Sequence, residues 1–111
     1  MNFREPRTSP EKDGAKKLIR LMRENGWYCR KVHGSMLMKD WPDYYCCHKI
    51  YGPRWVETKS NVGQLSIGQV KEFEEMTKHG AGVWVLRDEK DYLFLAEPPN
   101  WHKWLIPGWK P

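Results

Sequence analysis

The chain has 111 residues, of which 40% are hydrophobic and 30% are charged, a balance typical of one small folded domain rather than of a disordered chain. No apolar run approaches the roughly 18 residues that span a bilayer, and the N-terminal segment lacks the apolar core of a signal peptide, so we expect neither a membrane nor a secreted protein. Lysine and arginine outnumber aspartate and glutamate by 19 to 14, which gives a net charge of +5.

The excess of positive charge is confined to the N-terminal third of the chain. Residues 1–33 contain nine lysines and arginines against four acids, whereas residues 34–111 contain ten of each. A localised basic field attracts a polyanion, because phosphates neutralised by lysine and arginine release their condensed counterions. The charge pattern therefore indicates nucleic acid as a partner.

The three cysteines indicate free thiols. Cys29, Cys46 and Cys47 form no Cys-x-x-Cys pair, and Cys47 with His48 lacks a second pair of ligands for zinc. Unpaired thiols are typical of a reducing compartment, so we expect a cytoplasmic protein.

In chain order, the pattern predicts a flexible leader at 1–9 and then a single domain over 10–111. Two amphipathic helices are predicted, one between the N-cap Ser9 and the C-cap pair Asn25-Gly26, the other between the N-cap Ser66 and His79-Gly80. Five strands are predicted, at 27–33, 44–50, 54–59, 83–86 and 92–96. The order α-β-β-β-α-β-β indicates an α/β fold with a mixed sheet flanked by helices, followed by an aromatic segment at 98–111 with one or two helical turns.

The second and third strands form a predicted hairpin that carries the candidate chemistry. Pro42-Asp43 opens the hairpin and Glu57-Thr58-Lys59 closes it, with the turn near Gly52. Side chains two apart on a strand share a face, so two carboxylates and an ammonium converge at one end of the hairpin. Paired carboxylates are ligands suited to Mg²⁺ or Mn²⁺. Each piece also has a purely structural interpretation, because Pro-Asp is typical of turns and Glu57 with Lys59 is typical of a solvated pair on an edge strand.

These residues carry a resemblance to a known family. Pro42-Asp43, thirteen intervening residues and Glu57-Thr58-Lys59 resemble the PD-(D/E)XK nuclease motif. The helix that begins at Glu11, the Gly34-Ser35 loop and the Ser66-x-x-Gln69 helix start, with Phe73 one turn on, extend the likeness to about residues 11–87. This layout is similar to the virus-type replication-repair nuclease (VRR-NUC) domain and, more distantly, to archaeal Holliday-junction resolvases.

The resemblance implies a restriction-endonuclease-like core of order α-β-β-β-α-β. It implies a Mg²⁺- or Mn²⁺-dependent DNA endonuclease of phage or bacterial origin that acts on branched or structured DNA such as Holliday junctions. The metal ligands it implies are Asp43, Glu57, the Thr58 carbonyl and Glu11, and the catalytic residues are Asp43, Glu57, Lys59 and Gln69. Two of these have other interpretations, since Glu11 also suits a helix N-terminus and an exposed helical Gln69 needs no function.

A basic surface on the first helix and strand is predicted to contact the DNA backbone. The residues expected there are Lys12, Lys16, Arg20, Arg23, Lys31, His33 and Ser35. A charged helix face is equally typical of a solvated surface, and a histidine at the end of a strand is often structural.

The C-terminal tryptophans Trp101, Trp104 and Trp109 either cover the sheet or form a surface for self-association. We expect a C₂ homodimer, because cutting a symmetric junction needs two active sites. The alternative function is a non-catalytic nucleic-acid-binding accessory module on the same fold, and a more distant one is an unrelated small α/β interaction protein. Two carboxylates beside phosphate favour catalysis over both, because they repel phosphate unless a metal bridges them.

Overall fold

The structure, a computed structural model, describes residues 10–32, 38–60 and 63–105, with side chains from residue 13 onward in the first range. Four strands form one sheet in the order β1 (Tyr28–Lys31), β2 (Tyr44–His48), β3 (Gly52–Thr58) and β4 (Val83–Leu86). The first three strands are antiparallel, and β4 runs parallel to β3. The mixed sheet confirms the predicted α/β fold class.

The two helices lie on opposite faces of this sheet. Helix α1 (Pro10–Glu24) buries Leu18, Ile19 and Met22 against the face that carries Cys46 and Val56. Helix α2 (Ile67–Lys78) buries Val70 and Phe73 against the face that carries Val83 and Val85. Both packed stripes follow the spacing of about 3.6 residues per turn that the sequence shows, which explains why each helix has one apolar face. None of the helices in the described ranges combines the length and the apolar character needed to cross a bilayer.

The helix boundaries agree with the predictions, whereas β1, β2 and β3 differ from their predicted ranges by one or two residues at most ends. Gly26 and Gly80, each just beyond a helix, adopt φ angles of +90° and +96°, a conformation that a side chain would strain. Strand β2 ends at His48 rather than at Ile50, because Ile50 belongs to the hairpin turn. The leader, the predicted strand end at His33 and the residues after Leu105 lie outside the described residues.

The predicted fifth strand at 92–96 is wrong, because this segment belongs to a 3₁₀ helix over Glu89–Ala96. Asp88 caps the helix by accepting a hydrogen bond from the Lys90 amide, and Asp91 accepts one at 2.8 Å from the Arg87 amide. These local bonds satisfy backbone donors that a strand would satisfy across the sheet. The apolar run Tyr92-Leu93-Phe94-Leu95 has no clear period, which is why its pattern did not distinguish strand from helix.

A side chain occupies the sheet edge where a fifth strand was expected. Asn100 donates a hydrogen bond to the Val85 carbonyl at 3.0 Å and accepts one from the Val85 amide at 2.6 Å. A second 3₁₀ helix, Trp101–Trp104, follows and confirms the predicted helical turn. Trp101 is buried against Phe73 and Trp104 is partly buried, so these two tryptophans cover the sheet, whereas Trp109 lies outside the described residues.

Gly14 permits the closest approach between α1 and the segment after β4. A Cβ at this position would lie 2.7 Å from the Arg87 carbonyl oxygen and 3.0 Å from the Asp88 Cβ. A glycine inside a helix costs about 1 kcal/mol relative to alanine, so its presence here has a packing reason.

We expect Gly14→Ala to lower the free energy of unfolding by about 1–3 kcal/mol, because the clash with backbone outweighs the gain in helix propensity. Urea unfolding followed by circular dichroism measures this change. Gly68→Ala is the matched control in α2, since its Cβ would meet only the movable Asp40 carboxylate, at 2.6–2.8 Å. A Gly14→Ala variant as stable as the wild type would contradict the packing argument.

Candidate active site

The β2–β3 hairpin brings Asp43 beside the end of β3, as the sequence predicts. The register pairs Tyr44 with Val56, so Asp43 reaches the last residues of the neighbouring strand. Both the amide and the hydroxyl of Thr58 donate hydrogen bonds to Asp43 Oδ2, at 3.0 and 2.7 Å. One carboxylate oxygen of Asp43 is therefore held by the hairpin, while Oδ1 makes no hydrogen bond within the described residues.

Glu57 is almost fully buried, with 3% of its surface exposed. Its Oε2 accepts a hydrogen bond from Gln69 Nε2 at 2.9 Å and lies 3.4 Å from the Lys59 ammonium. Its Oε1 is buried with no hydrogen-bond partner among the described residues. Because a buried polar atom without a partner is costly, this oxygen indicates a group that the structure does not contain.

Gln69 orients Glu57 through the N-terminal cap of α2. The Ser66 hydroxyl accepts a hydrogen bond from the Gln69 amide, and Gln69 Oε1 accepts one from the Ser66 amide, which completes a capping box. Since a backbone amide only donates, the oxygen of the Gln69 side chain faces Ser66 and its NH₂ group faces Glu57. Gln69, which the resemblance implied to be a catalytic residue, thus contacts Glu57 directly and orients it.

Pro42 explains why the Thr58 carbonyl is available as a ligand. The β2–β3 register, continued by two residues beyond Tyr44 and Val56, places Pro42 opposite Thr58. The Val32 amide bonds to the Asp43 carbonyl and the Trp55 amide to the Gly82 carbonyl, so even-numbered residues of β3 face β2. Proline has no amide hydrogen to donate, and the Thr58 carbonyl therefore receives no ladder hydrogen bond from it.

The pKa of Glu57 is raised to about 7, first by burial and then by the Asp43 carboxylate, against the opposing effects of Gln69 and Lys59. Two carboxylates that disfavour each other's charge form a pair that a divalent cation relieves. Among the described residues, no group of three or more His, Cys, Asp or Glu side chains is suited to one metal ion. Two carboxylates and a carbonyl fit Mg²⁺ or Mn²⁺, because Mg²⁺ keeps several waters and uses only one or two protein carboxylates.

A cavity of about 520 Å³ opens over these groups. Asp43, Glu57, Thr58 and Lys59 line it on the sheet side. The predicted DNA-contacting residues Lys16, on α1, and Lys31, on β1, line it as well. The structure therefore places both carboxylates, the predicted catalytic lysine and two further cations around one cavity.

The other predicted site residues have separate outcomes. Arg20 and Arg23 lie one and two turns further along α1 and line an adjacent cavity. The backbone of Glu11 and Lys12 belongs to α1, but their side chains lie outside the described residues, as do His33 and Ser35 entirely. The proposed metal-ligand role of Glu11 and the DNA contacts of Lys12, His33 and Ser35 stay predictions.

Tyr44 is a site residue that the sequence analysis missed. Its side chain lines the cavity between Asp43 and Lys31, and the Lys31 ammonium lies 5.7 Å from its ring centroid. Burial raises the pKa of its hydroxyl, with a smaller effect from Asp43. Strand alternation was the available signal, because it places Tyr44 on the face opposite to Tyr45 and opposite Lys31 in register.

Comparison with known proteins supports the fold. A solved structure described as "VRR_NUC domain" superposes on this chain with a TM-score of 0.69, covering 80% of this chain and 96% of that chain at 23% sequence identity. No family model and no curated protein matches the sequence. The chain therefore has the fold of a VRR_NUC domain, which confirms at the level of the fold the resemblance read from the motif.

We expect the metal-free protein to lose stability as the pH rises through the Glu57 pKa. The folded-state pKa of about 7 lies above the ordinary value of 4.5, so the folded state binds more protons than the unfolded state between these values. The contribution of Glu57 to stability is then greatest at low pH, and from pH 5 to pH 8 it falls by about 2.5 kcal/mol. Glu57→Gln removes the effect while keeping the shape of the side chain.

Urea unfolding in EDTA at pH 5, 6.5 and 8 measures this difference between wild type and Glu57→Gln. The two proteins should diverge as the pH rises, with the variant the more stable at pH 8. Addition of Mg²⁺ should stabilise the wild type more at pH 8 than at pH 6, because the metal competes with a proton. Parallel pH curves for the two proteins would show that Glu57 is ionised normally.

Proposed function

We propose that this protein is a divalent-metal-dependent DNA endonuclease that hydrolyses phosphodiester bonds. The observation that carries the proposal is Glu57 itself, which lines one cavity with Asp43 and Lys59 and whose buried Oε1 has no hydrogen-bond partner in the described part of the chain. A purely structural Glu57 would have both oxygens satisfied or would be replaced by an apolar side chain. The VRR_NUC fold supports the same conclusion.

The Asp43 and Glu57 carboxylates and the Thr58 carbonyl are the groups that would hold Mg²⁺ or Mn²⁺. When bound, such an ion supplies a Lewis acid that neutralises charge on the scissile phosphate and makes a nearby water more acidic. Hydrolysis forms one bond between a water oxygen and phosphorus and breaks one P–O ester bond, and the leaving oxygen takes up a proton.

The residues around the carboxylates supply positive charge and fix the orientation of the two carboxylates. Lys59 lies 3.4 Å from Glu57 Oε2 and lines the cavity, so its ammonium is placed to donate to a phosphate oxygen as negative charge develops there. Gln69 and Thr58 fix one oxygen each of Glu57 and Asp43 by hydrogen bonds. The cations Lys16 and Lys31 surround the same cavity and would attract the DNA backbone.

Branched DNA and a homodimer belong to this proposal as its finer parts. Junction cleavage needs two active sites, which a C₂ dimer supplies. The fold and the charge distribution support nucleic acid as the substrate class, and free thiols at Cys29, Cys46 and Cys47 fit a cytoplasmic location.

The proposal is tested by incubating the protein with a labelled four-way junction and a matched linear duplex in Mg²⁺, Mn²⁺ or EDTA. We expect metal-dependent cleavage, reduced more than about 100-fold in Asp43→Asn, because an amide is a poor metal ligand. The amide oxygen of the substituted side chain can still accept from Thr58, so this variant should fold. Asp13→Asn is the matched control, since Asp13 only pairs with Lys17 on the surface of α1.

Symmetric paired cuts in the junction would support a dimeric resolvase. Equal cleavage by wild type and Asp43→Asn would overturn the site assignment. Tight binding without cleavage in every metal would favour the accessory-module function instead.

For Lys59→Met we expect a loss of turnover without a loss of metal affinity. The ammonium repels a divalent cation, so its removal leaves metal binding intact or strengthens it, whereas charge on the transition state loses a stabilising donor. Calorimetric titration with Mn²⁺ and single-turnover cleavage separate the two effects, and we expect the cleavage rate to fall at least about tenfold. A parallel loss of metal affinity would contradict the role assigned to Lys59.

A further inference from the structure

A second cavity continues the active-site cavity along α1. Its volume is about 510 Å³, and it shares Lys16 and Tyr44 with the active-site cavity. Arg20 and Arg23 also line it, and Glu24 is the acid in its described lining. The two cavities therefore adjoin at Lys16 and Tyr44, the first over the carboxylates and the second beside the helix, and together they are called the groove.

The two halves of the groove differ in charge. The first half has two carboxylates, Asp43 and Glu57, beside its three lysines, whereas three cations and the single carboxylate of Glu24 line the second. A phosphate needs a metal to approach a pair of carboxylates, but lysine and arginine bind phosphate directly. The second half thus suits phosphates that are held and not hydrolysed.

The cations of the second half are available for a ligand. Lys16 and Arg20 form no ion pair or hydrogen bond within the described residues, in contrast to Lys17 on the same helix, which pairs with Asp13 at 3.4 Å. Arg23 donates one hydrogen bond to the Cys29 carbonyl at 2.8 Å, which fixes its guanidinium and leaves its other N–H groups to spare.

The length of the second half of the groove corresponds to a short segment of one DNA strand. Lys16 and Arg23 are seven residues apart on α1, which is about 10 Å along the helix axis. One strand of duplex DNA rises by the same distance over about three nucleotides.

Tyr44 stands at the boundary that both cavities share. The Tyr44 hydroxyl makes no hydrogen bond within the described residues, and the Lys31 ammonium lies over the Tyr44 ring. The next residue, Tyr45, lies on the other face of the sheet and packs against Trp55 with ring centroids 5.0 Å apart. The chain therefore offers two neighbouring tyrosines of which only Tyr44 reaches the groove.

We propose that the second cavity is a subsite for the backbone phosphates that flank the scissile phosphate on one side, and that Tyr44 positions the strand at its entrance by donating its hydroxyl to a phosphate oxygen. The inference rests on the proposed function in so far as it needs a scissile phosphate at Asp43 and Glu57. It makes the substrate a strand that continues about three nucleotides beyond the cut on that side.

The salt dependence of duplex binding tests the subsite apart from catalysis. In an Asp43→Asn background in EDTA, Lys16→Gln and Arg20→Gln should each lower the slope of log K against log salt concentration by about 0.9, the value for one lost phosphate contact. Lys17→Gln, with the same charge change on the same helix, should leave the slope unchanged. Equal slopes for Arg20→Gln and Lys17→Gln would overturn the subsite.

Tyr44→Phe against Tyr45→Phe tests the positioning role. We expect Tyr44→Phe to weaken binding about tenfold with an unchanged salt slope, and to raise KM in the active protein while kcat stays the same, because an uncharged donor to phosphate is lost. Tyr45→Phe should match the wild type in every measurement. Unchanged binding in Tyr44→Phe, or a fall in kcat alone, would remove Tyr44 from the subsite.

Trimming the substrate completes the test. Oligonucleotides shortened on one side of the cut should lose cleavage below about three nucleotides on that side only. Symmetric tolerance of trimming would contradict the subsite while leaving the nuclease intact. If no DNA is cleaved at all but the salt slopes change as expected, the proposed function fails and the groove stands as a nucleic-acid-binding site.

Discussion

The burial of the Glu57 carboxylate is the constraint on which the rest of the site depends. A charge in this position is costly, and the structure offsets the cost with Gln69 and Lys59 at one oxygen only. Two apolar residues neighbour Glu57 in the sheet. Val56, which precedes it in β3, is buried beneath α1, and Val85 of β4 pairs with Glu57. Glu57 is therefore held by the sheet and by Gln69, while its Oε1 has no hydrogen-bond partner among the residues that the structure describes.

This constraint links the start of α2 to the chemistry. The capping box that begins the helix also fixes the amide of Gln69, so one arrangement of hydrogen bonds both stabilises the helix and orients the carboxylate. Gly68 lies between Ser66 and Gln69 in the chain. The Asp40 carboxylate packs so closely on it that a Cβ at this position would lie 2.6 Å from Asp40 Oδ2. Asp40 comes from the turn that leads into Pro42-Asp43. The turn before Asp43 and the Glu57 carboxylate thus both contact the start of α2, where a negative charge is favoured by the helix dipole.

The sequence predicted the parts of the fold whose signals are local. The Ser66 side chain caps the start of α2, and Gly80 adopts the conformation that the end of the helix requires. The convergence of Asp43, Glu57 and Lys59 follows from strand alternation and a tight turn. The segment at 92–96 was predicted wrongly because Asp88 and Asp91 make side-chain bonds that no hydrophobic pattern encodes. The edge of β4 could not be predicted either, since Asn100 lies fifteen residues from Val85 and meets it only in the folded chain. Gln69 was predicted as a site residue, but its contact with Glu57 depends on how α2 sits over β3.

The groove extends this reasoning from the ligands to the substrate. A net charge of +5 concentrated before residue 34 indicates only that a polyanion is favoured. Charge acts over a Debye length of about 8–10 Å, so it does not determine where on the surface the polyanion lies. The fold determines that location, since β1 and β2 bring Lys31 and Tyr44 alongside α1 and next to the carboxylates. Helix α1 supplies both an apolar face for the core and a basic face toward the groove. The 3.6-residue period allows both on one helix, with Leu18 and Met22 turned inward while Lys16 and Arg20 line the groove.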